Sequence, residues 1–140
     1  MSFSEFKAHS EPLFIKLQIL KFRDSIAVNN CSFVYYYFHN NLPASFINTF
    51  IRTNDLYEYS TRQATTGQLF IPSYKTTSFG LKCIYKRCID SWNKFSMEIN
   101  LIHQRDNPNH LEIKNIDLLR YSRTVLKEKL TTHILAAYEG

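Results

Sequence analysis

The stretch Asp24-Ser-Ile-Ala-Val-Asn-Asn-Cys-Ser-Phe-Val-Tyr-Tyr-Tyr-Phe38 contains the clearest structural pattern in the chain. Its apolar side chains recur at intervals of four, three and four residues, at Ala27, Cys31, Val34 and Phe38. Because an α-helix has about 3.6 residues per turn, side chains at these intervals share one face. The stretch therefore predicts a helix with a buried face and with Asp24 as its N-cap. The turn residues Asn-Asn-Leu-Pro at 40–43 are expected to end it.

Helical spacing also occurs on both sides of this stretch. Near the N-terminus, Pro12 suits the first turn of a helix that has Glu11 at its start. The apolar sets at helical spacing are Leu13, Leu17 and Leu20; Phe46, Ile47 and Phe50 in a short helix; Leu81, Ile84 or Tyr85, Cys88, Trp92 and Phe95; and Leu126, Leu130, Ile134 and Ala137 after a Ser122 cap. A length of 140 residues suits one domain. The sequence therefore predicts a mostly α fold, a single domain over residues 1–140 with about four or five helices.

The middle of the chain lacks this regularity. Residues 53–78 show no sustained period, and only 68–71 suggest a strand, so at most a short β-hairpin is expected. Residues 103–115 are predicted to form a polar connector before the last helix. A long irregular segment in a compact domain is more often functional, or packed against another molecule.

Composition excludes several classes of protein. A hydrophobic content of 44% is too high for a disordered tail. The longest apolar runs, such as residues 32–38, are too short to span a membrane, and the N-terminus does not resemble a signal peptide. Three cysteines, an odd number, argue against a disulfide framework. We therefore expect an intracellular protein, nuclear or cytoplasmic, without a membrane partner.

The net charge of +5 is concentrated in one part of the chain. Residues 1–60 contain five basic and five acidic side chains, and residues 95–140 contain six of each. Residues 61–94 contain six basic side chains against the single acidic residue Asp90. A localised basic region can neutralise phosphates and gain free energy by releasing counterions. The alternative is that these side chains only solvate a surface.

Candidate nucleic-acid contacts come from this basic segment and its flank, namely Tyr59, Arg62, Lys75, Lys82, Lys86 and Arg87. Arginine can clamp a phosphate and tyrosine can stack on a base. Lys82 and Lys86 are four residues apart, so they are expected to share a helix face directed away from Cys88. For Arg62 a structural role, bonding loop carbonyls, is slightly preferred, and Trp92 is expected in the core.

Catalytic constellations are missing from the sequence. Polymerases and most nucleases hold divalent metals with clustered carboxylates, whereas the acidic residues here are scattered and no Asp-Asp pair occurs. The three glycines, Gly67, Gly80 and Gly140, do not have the spacing of a phosphate-binding loop. We therefore predict no catalytic residue, no cofactor and no small-molecule substrate.

A zinc site is considered because Cys83 and Cys88 precede His103 and His110. The spacing of the four residues does not match a zinc knuckle or a zinc finger. Cys88 also lies on the apolar face of its predicted helix, where a buried free cysteine is common. A core role is therefore preferred, and no metal ligand is predicted.

An ordered series of residues along nearly the whole chain resembles the region that follows the reverse-transcriptase core in LINE-type (non-LTR) retroelement proteins. The series is Pro12-Leu13-Phe14, Leu17, Ile19-Leu20, Asp24, Phe38, Asn41-Leu42-Pro43, Phe46, Phe50, Tyr59, Thr61-Arg62, Pro72, Thr76-Thr77, Gly80, Ile84-Tyr85, Trp92-Asn93 and Ile116 to Leu119 through Tyr138. It departs from that family's pattern where Arg87-Cys88 replaces a glycine and Lys94-Phe95 replaces a Leu-Pro pair.

The resemblance implies a parent protein with an endonuclease and an RNA-directed DNA polymerase upstream, whose metal-binding carboxylates are not found here. It implies a non-catalytic accessory fragment that packs on the polymerase core and helps to hold template RNA or target DNA. Nucleic acid and the upstream core are thus the expected partners. The alternative is a protein-interaction or structural helical module that binds no nucleic acid.

Overall fold

A computed structural model describes residues 10–59, 67–73, 75–76, 83–106 and 117–139. In this part of the chain the predicted mostly helical fold is confirmed. The helices are α1 (Glu11–Leu17), α2 (Phe22–Phe38), α3 (Thr53–Leu56), α4 (Ile84–Asp106) and α5 (Arg123–Glu139), with 3-10 turns at Ala44–Phe46 and Leu118–Arg120. None of these helices is long and apolar enough to cross a membrane. The extent of a single domain over residues 1–140 stays a prediction.

The core forms where α2 packs against both α4 and α5. From α2, Cys31 and Val34 are fully buried, as their spacing predicts. They meet two further stripes at helical spacing, Cys88, Trp92 and Phe95 of α4 and Leu126, Leu130 and Ile134 of α5. Burying each large apolar side chain contributes roughly 1.5–3 kcal/mol, so the three stripes carry most of the stabilisation.

The outermost residues of two predicted apolar faces are exposed rather than buried. Ile84 is 54% exposed and Tyr85 is 39% exposed, because they lie in the first turn of α4, before the packed stripe begins at Cys88. Ala137 is exposed near the end of α5. The buried face of α4 thus begins at Cys88, and that of α5 ends at Ile134.

The N-cap predicted for α2 is wrong. The helix begins at Phe22 with Lys21 as N-cap, so Asp24 lies inside the first turn, where a carboxylate still favours the helix N-terminus. Asp24 instead accepts a hydrogen bond from the Tyr138 hydroxyl, which also accepts one from the Lys21 backbone N–H at 3.0 Å. This contact ties the end of α5 to the junction of α1 and α2.

Two further boundaries differ from the predictions. Helix α4 continues through Asp106, so residues 103–106 of the predicted connector are helical, and 107–115 lie outside the described residues. The polar side chains of residues 103–106 fit an exposed last turn of α4. His103 and Arg105 lie there at the negative end of the helix dipole. The short helix predicted around Phe46 is a single 3-10 turn.

The described part of the irregular middle contains no strand. Where residues 68–71 suggest one, there is a single antiparallel bridge between Arg52 and Leu69. Beside it the Phe70 N–H donates to the Ile51 carbonyl at 2.8 Å. One bridge is far less pairing than a hairpin needs for independent stability, so other contacts must hold this segment.

Helix α4 supplies those contacts through Trp92 and Asn93. The Asn93 side-chain oxygen accepts from the Leu69 N–H at 2.7 Å, and the Asn93 amide nitrogen donates to the Leu69 carbonyl at 3.0 Å. We call this pair of bonds the Asn93 clamp. From the preceding residue of α4, the Trp92 indole N–H donates to the Gly67 carbonyl at 3.2 Å. The irregular segment is therefore fixed to a helix rather than to a sheet.

Replacing Asn93 with Leu is expected to lower the free energy of unfolding by roughly 1–3 kcal/mol, because the Leu69 peptide groups lose both partners. Urea denaturation followed by circular dichroism measures the change. The matched control is Asn29→Leu on the exposed side of α2, which should change stability little. Equal midpoints for the two variants would show that the clamp does not stabilise the fold.

The three cysteines differ in environment. Cys31 and Cys88 are buried in the core, and Cys83 is half-buried just before α4. Burial raises the pKa of the Cys88 thiol to about 11 and also raises the pKa of the Cys31 thiol. Since the thiolate is the reactive form, both core cysteines are expected to be inert in the folded protein.

Iodoacetamide at about pH 8 should therefore modify Cys83 alone in the native chain, and all three cysteines after denaturation. Peptide mass spectrometry identifies the labelled positions. Native-state labelling of Cys31 as fast as that of Cys83 would contradict the packing of α2 against α4.

Candidate nucleic-acid interface

A groove of about 430 Å³ lies directly beside the Asn93 clamp. The end of α3, the clamped segment and one side of α4 form its walls. Its lining residues are Thr53, Tyr57, Gln68, Leu69, Phe70, Ile71, Asn93, Lys94 and Met97. We call it the clamp groove. It exists because the Asn93 clamp holds residues 67–71 against α4 and α3 leads away from the Arg52 bridge.

The clamp groove differs from the other described grooves in charge. None of its nine lining residues is acidic. Each of four further grooves in the described residues is lined by at least one carboxylate: Asp55 in the first; Asp24, Asp90 and Glu98 in the second; Glu128 in the third; and Glu11 in the fourth. An anionic ligand therefore meets less repulsion in the clamp groove than in any of these four.

Lys94 is the cation of the clamp groove, and its charge is not cancelled by an ion pair among the described residues. Asp90 and Glu98 lie four residues before and after it on α4, at the spacing of helix ion pairs. Asp90 is bound by Lys86, however, and Glu98 contacts His133 across to α5 at 2.7 Å. Both carboxylates are therefore engaged elsewhere. The Lys94 ammonium lies 5.8 Å from the centroid of the Phe95 ring, and Lys94 also lines the neighbouring groove with Asp24, Asp90 and Glu98. The side chain nevertheless stays exposed, so it can still reach a phosphate.

Aromatic and apolar side chains border the groove on the side of α3. Tyr57 is 49% exposed, and Tyr59, two residues later, is 80% exposed. Opposite them, Ile71 and Met97 are also about half exposed. These surfaces can stack or pack on a flat apolar ligand such as a nucleobase.

The polar groups in the floor of the groove are mostly occupied. The Asn93 amide is used on both sides by Leu69, and the Gln68 carbonyl accepts from the Thr53 hydroxyl at 3.0 Å. The half-buried side-chain amide of Gln68 has no hydrogen-bond partner within the described ranges. Gln68 is therefore a floor side chain whose whole amide can bond to a ligand.

The residues predicted from sequence fall into three groups. Tyr59, Lys75 and Arg87 are exposed, Lys86 is largely covered, and Arg62 and Lys82 lie outside the described residues. Of those described, Tyr59 lies two residues from the groove-lining Tyr57 and Lys75 lies four residues from Ile71. Arg87 is seven residues before Lys94, which places both on the same side of α4.

The structure places Lys86 in an ion pair within α4. Its side chain is only 15% exposed and its ammonium binds the Asp90 carboxylate one turn later. The spacing of four residues makes this pairing local, so the single acidic residue of the basic segment removes one of its cations. Lys86 is thus not a free phosphate contact.

Sequence patterns missed Lys94 and Tyr57 as site residues. Lys94 was counted in the basic segment, but nothing in its spacing distinguished it from Lys86. Only the pairing of the neighbouring carboxylates separates the two lysines. Tyr57 lies just after α3, and the alternation Tyr57-Glu58-Tyr59 is the one available signal for a pair of exposed rings.

No group of three or more histidine, cysteine or acidic side chains that could hold a metal occurs in the described ranges. Cys88 and Trp92 are each 1% exposed and lie in the core, as predicted. Of the other two residues considered for zinc, His103 lies in α4 and His110 falls outside the described residues.

No protein-family model, no curated protein and no solved structure matches this chain. The resemblance to the region after a retroelement polymerase core therefore stays a prediction that depends on the residues quoted for it. Among them, Trp92-Asn93 is the pair whose two side chains bind the irregular segment to α4.

Proposed function

We propose that this domain holds nucleic acid without acting on it, as a non-catalytic accessory fragment of a retroelement RNA-directed DNA polymerase. The observation that carries the proposal is the clamp groove. It combines exposed tyrosine with Lys94, which has no ion pair among the described residues, and none of its described lining residues is acidic. Template RNA and target DNA are the two ligands that the resemblance implies. The upstream polymerase core is the protein partner that it implies.

The chemistry of the groove suits a polyanion with flat bases. A lysine that neutralises a phosphate releases a counterion, and an exposed tyrosine ring provides a stacking surface. Arg87 and Lys75 extend the positive charge beyond the groove. With about three such cations among the described residues, binding is expected to be moderate and sensitive to salt, which suits a supporting contact in a larger assembly.

The assignment as non-catalytic is supported by the state of the carboxylates. Asp24, Asp90, Glu98 and Asp117 each bind a side chain of the same chain: Tyr138, Lys86, His133 and Arg52 respectively. Metal-dependent phosphoryl transfer needs carboxylates that converge on a cation. Three of these four instead connect different structural elements, and Asp90 pairs within α4.

The triple variant Lys75→Gln/Arg87→Gln/Lys94→Gln should bind a fluorescent oligonucleotide about tenfold more weakly than the wild type, or worse. Each lost phosphate contact on a single strand reduces the slope of log affinity against log salt by about 0.7, so the slope should fall by about 2. Anisotropy titrations at about 0.05 and 0.2 M salt measure both quantities.

The matched control is Lys16→Gln/Arg23→Gln/Arg120→Gln, which removes the same charge from exposed positions that do not line the groove. It should retain most of the affinity and the slope. Equal losses in the two triple variants would mean that net charge alone drives binding and that the clamp groove is not the site.

The alternative, a protein-interaction module, is favoured by a different observation. Leu17, Ile19 and Phe22 are 52%, 52% and 79% exposed around the junction of α1 and α2. Neighbouring exposed apolar residues of this size are typical of a surface that a partner covers. Such a module would use this junction and leave the clamp groove without a role.

Under the alternative, the isolated chain associates as its concentration rises, and Ile19→Asp/Phe22→Asp makes it monomeric because charge disfavours burial of the junction. Sedimentation velocity at several concentrations measures the association. A wild-type chain that stays monomeric while it binds oligonucleotides would reject the alternative.

A further inference from the structure

We propose that the clamp groove accepts unpaired bases, so that its ligand is single-stranded nucleic acid and not a duplex. This inference rests on the proposed function and specifies its ligand. Its basis is that the described walls of the groove have few cationic side chains but several half-exposed aromatic and apolar ones.

Among the described residues, the cations near the groove are too few for tight binding to a duplex. Within those ranges Lys94 is the one cationic residue in the lining, and Arg87 and Lys75 are the nearest exposed ones along the chain. Duplex affinity without base contacts comes from neutralising many phosphates at once. A second source of binding free energy is therefore needed.

Stacking and apolar packing provide that source. Tyr57, Ile71 and Met97 present half-exposed surfaces to the groove, with exposures of 49%, 47% and 47%. In a duplex the faces of the bases are covered by their neighbours in the stack, so these side chains cannot reach them. An unpaired base can insert between such surfaces, and stacking on an aromatic ring tolerates any base.

Base identity is expected to matter little. The Asn93 amide is held in place by its two bonds to Leu69, which leave it one N–H and one oxygen lone pair. Gln68 retains a side-chain amide able to donate and accept one pair of bonds. One such amide can give at most a modest preference among bases.

The test compares three fluorescent probes in anisotropy titrations at low salt: an oligo-dT and an oligo-rU of about twelve nucleotides, and a blunt DNA duplex of the same length. Four proteins are titrated: the wild type, Tyr57→Leu, Tyr57→Phe and Phe22→Leu. Phe22 is an exposed aromatic residue that does not line the groove, so its variant is the matched control.

The wild type should bind both single strands at least about tenfold more tightly than the duplex. Tyr57→Leu should weaken binding to single strands by about fivefold or more and leave the duplex unchanged, whereas Tyr57→Phe, which keeps the ring, and Phe22→Leu should match the wild type. The dT and rU arms show which of the two kinds of strand is held more tightly.

Equal or tighter binding of the duplex, or a Tyr57→Leu protein that binds single strands as well as the wild type, would overturn this inference and leave the proposed function intact. Weakening by Tyr57→Phe equal to that by Tyr57→Leu would assign the effect to the hydroxyl and also overturn it. Absence of binding to all three probes would instead reject the proposed function. Thermal unfolding of each variant separates a loss of binding from a loss of folding.

Discussion

The two hydrogen bonds between the Asn93 side chain and the Leu69 peptide groups are the contact on which the middle of the molecule depends. Leu69 is 2% exposed, and a buried backbone N–H or C=O needs a partner. In a sheet a neighbouring strand would supply one donor and one acceptor. Here one primary amide on α4 supplies both, so a segment with a single bridge can cross the face of a helix in an extended form. Because the Asn93 side chain holds this segment in place of a neighbouring strand, the segment forms one wall of the clamp groove.

Residues next to the Asn93 clamp connect it to the turn that precedes α5. Gly67, whose carbonyl accepts from Trp92, has a φ of 71°, a conformation that favours glycine. A Cβ at this position would lie 3.4 Å from both the Arg52 guanidinium and the Asp117 carboxylate, which form a 2.6 Å ion pair. Asp117 also accepts from the Leu119 N–H at the start of the turn that leads into α5. The ion pair is about a quarter exposed, so its contribution is modest and its main effect is to fix geometry.

The helices could be predicted from sequence and the clamp could not, for a physical reason. Burial of Cys31, Val34, Trp92 and Leu130 follows from repetition at helical spacing, which is a local property of the chain. A contact such as that of Asn93 with Leu69 joins residues 24 positions apart and leaves no periodic trace. Asp24 is not the N-cap because the helix already begins at Phe22. Its carboxylate instead binds Tyr138, 114 residues away, a contact that the sequence near Asp24 does not encode.

The same distinction between local and distant partners decides the electrostatics of α4. The carboxylates of Asp90 and Glu98 are equally spaced around Lys94, and local helix pairing alone would allow either to neutralise it. Lys86, also in α4, binds Asp90, and His133 of α5 binds Glu98. Since α4 and α5 are both packed on α2, the position of His133 depends on the whole core. The charge presented in the clamp groove is therefore a tertiary property. The net charge of +5 gives the excess of basic over acidic side chains in the chain. The packing of three helices determines which lysine can bind an anionic ligand.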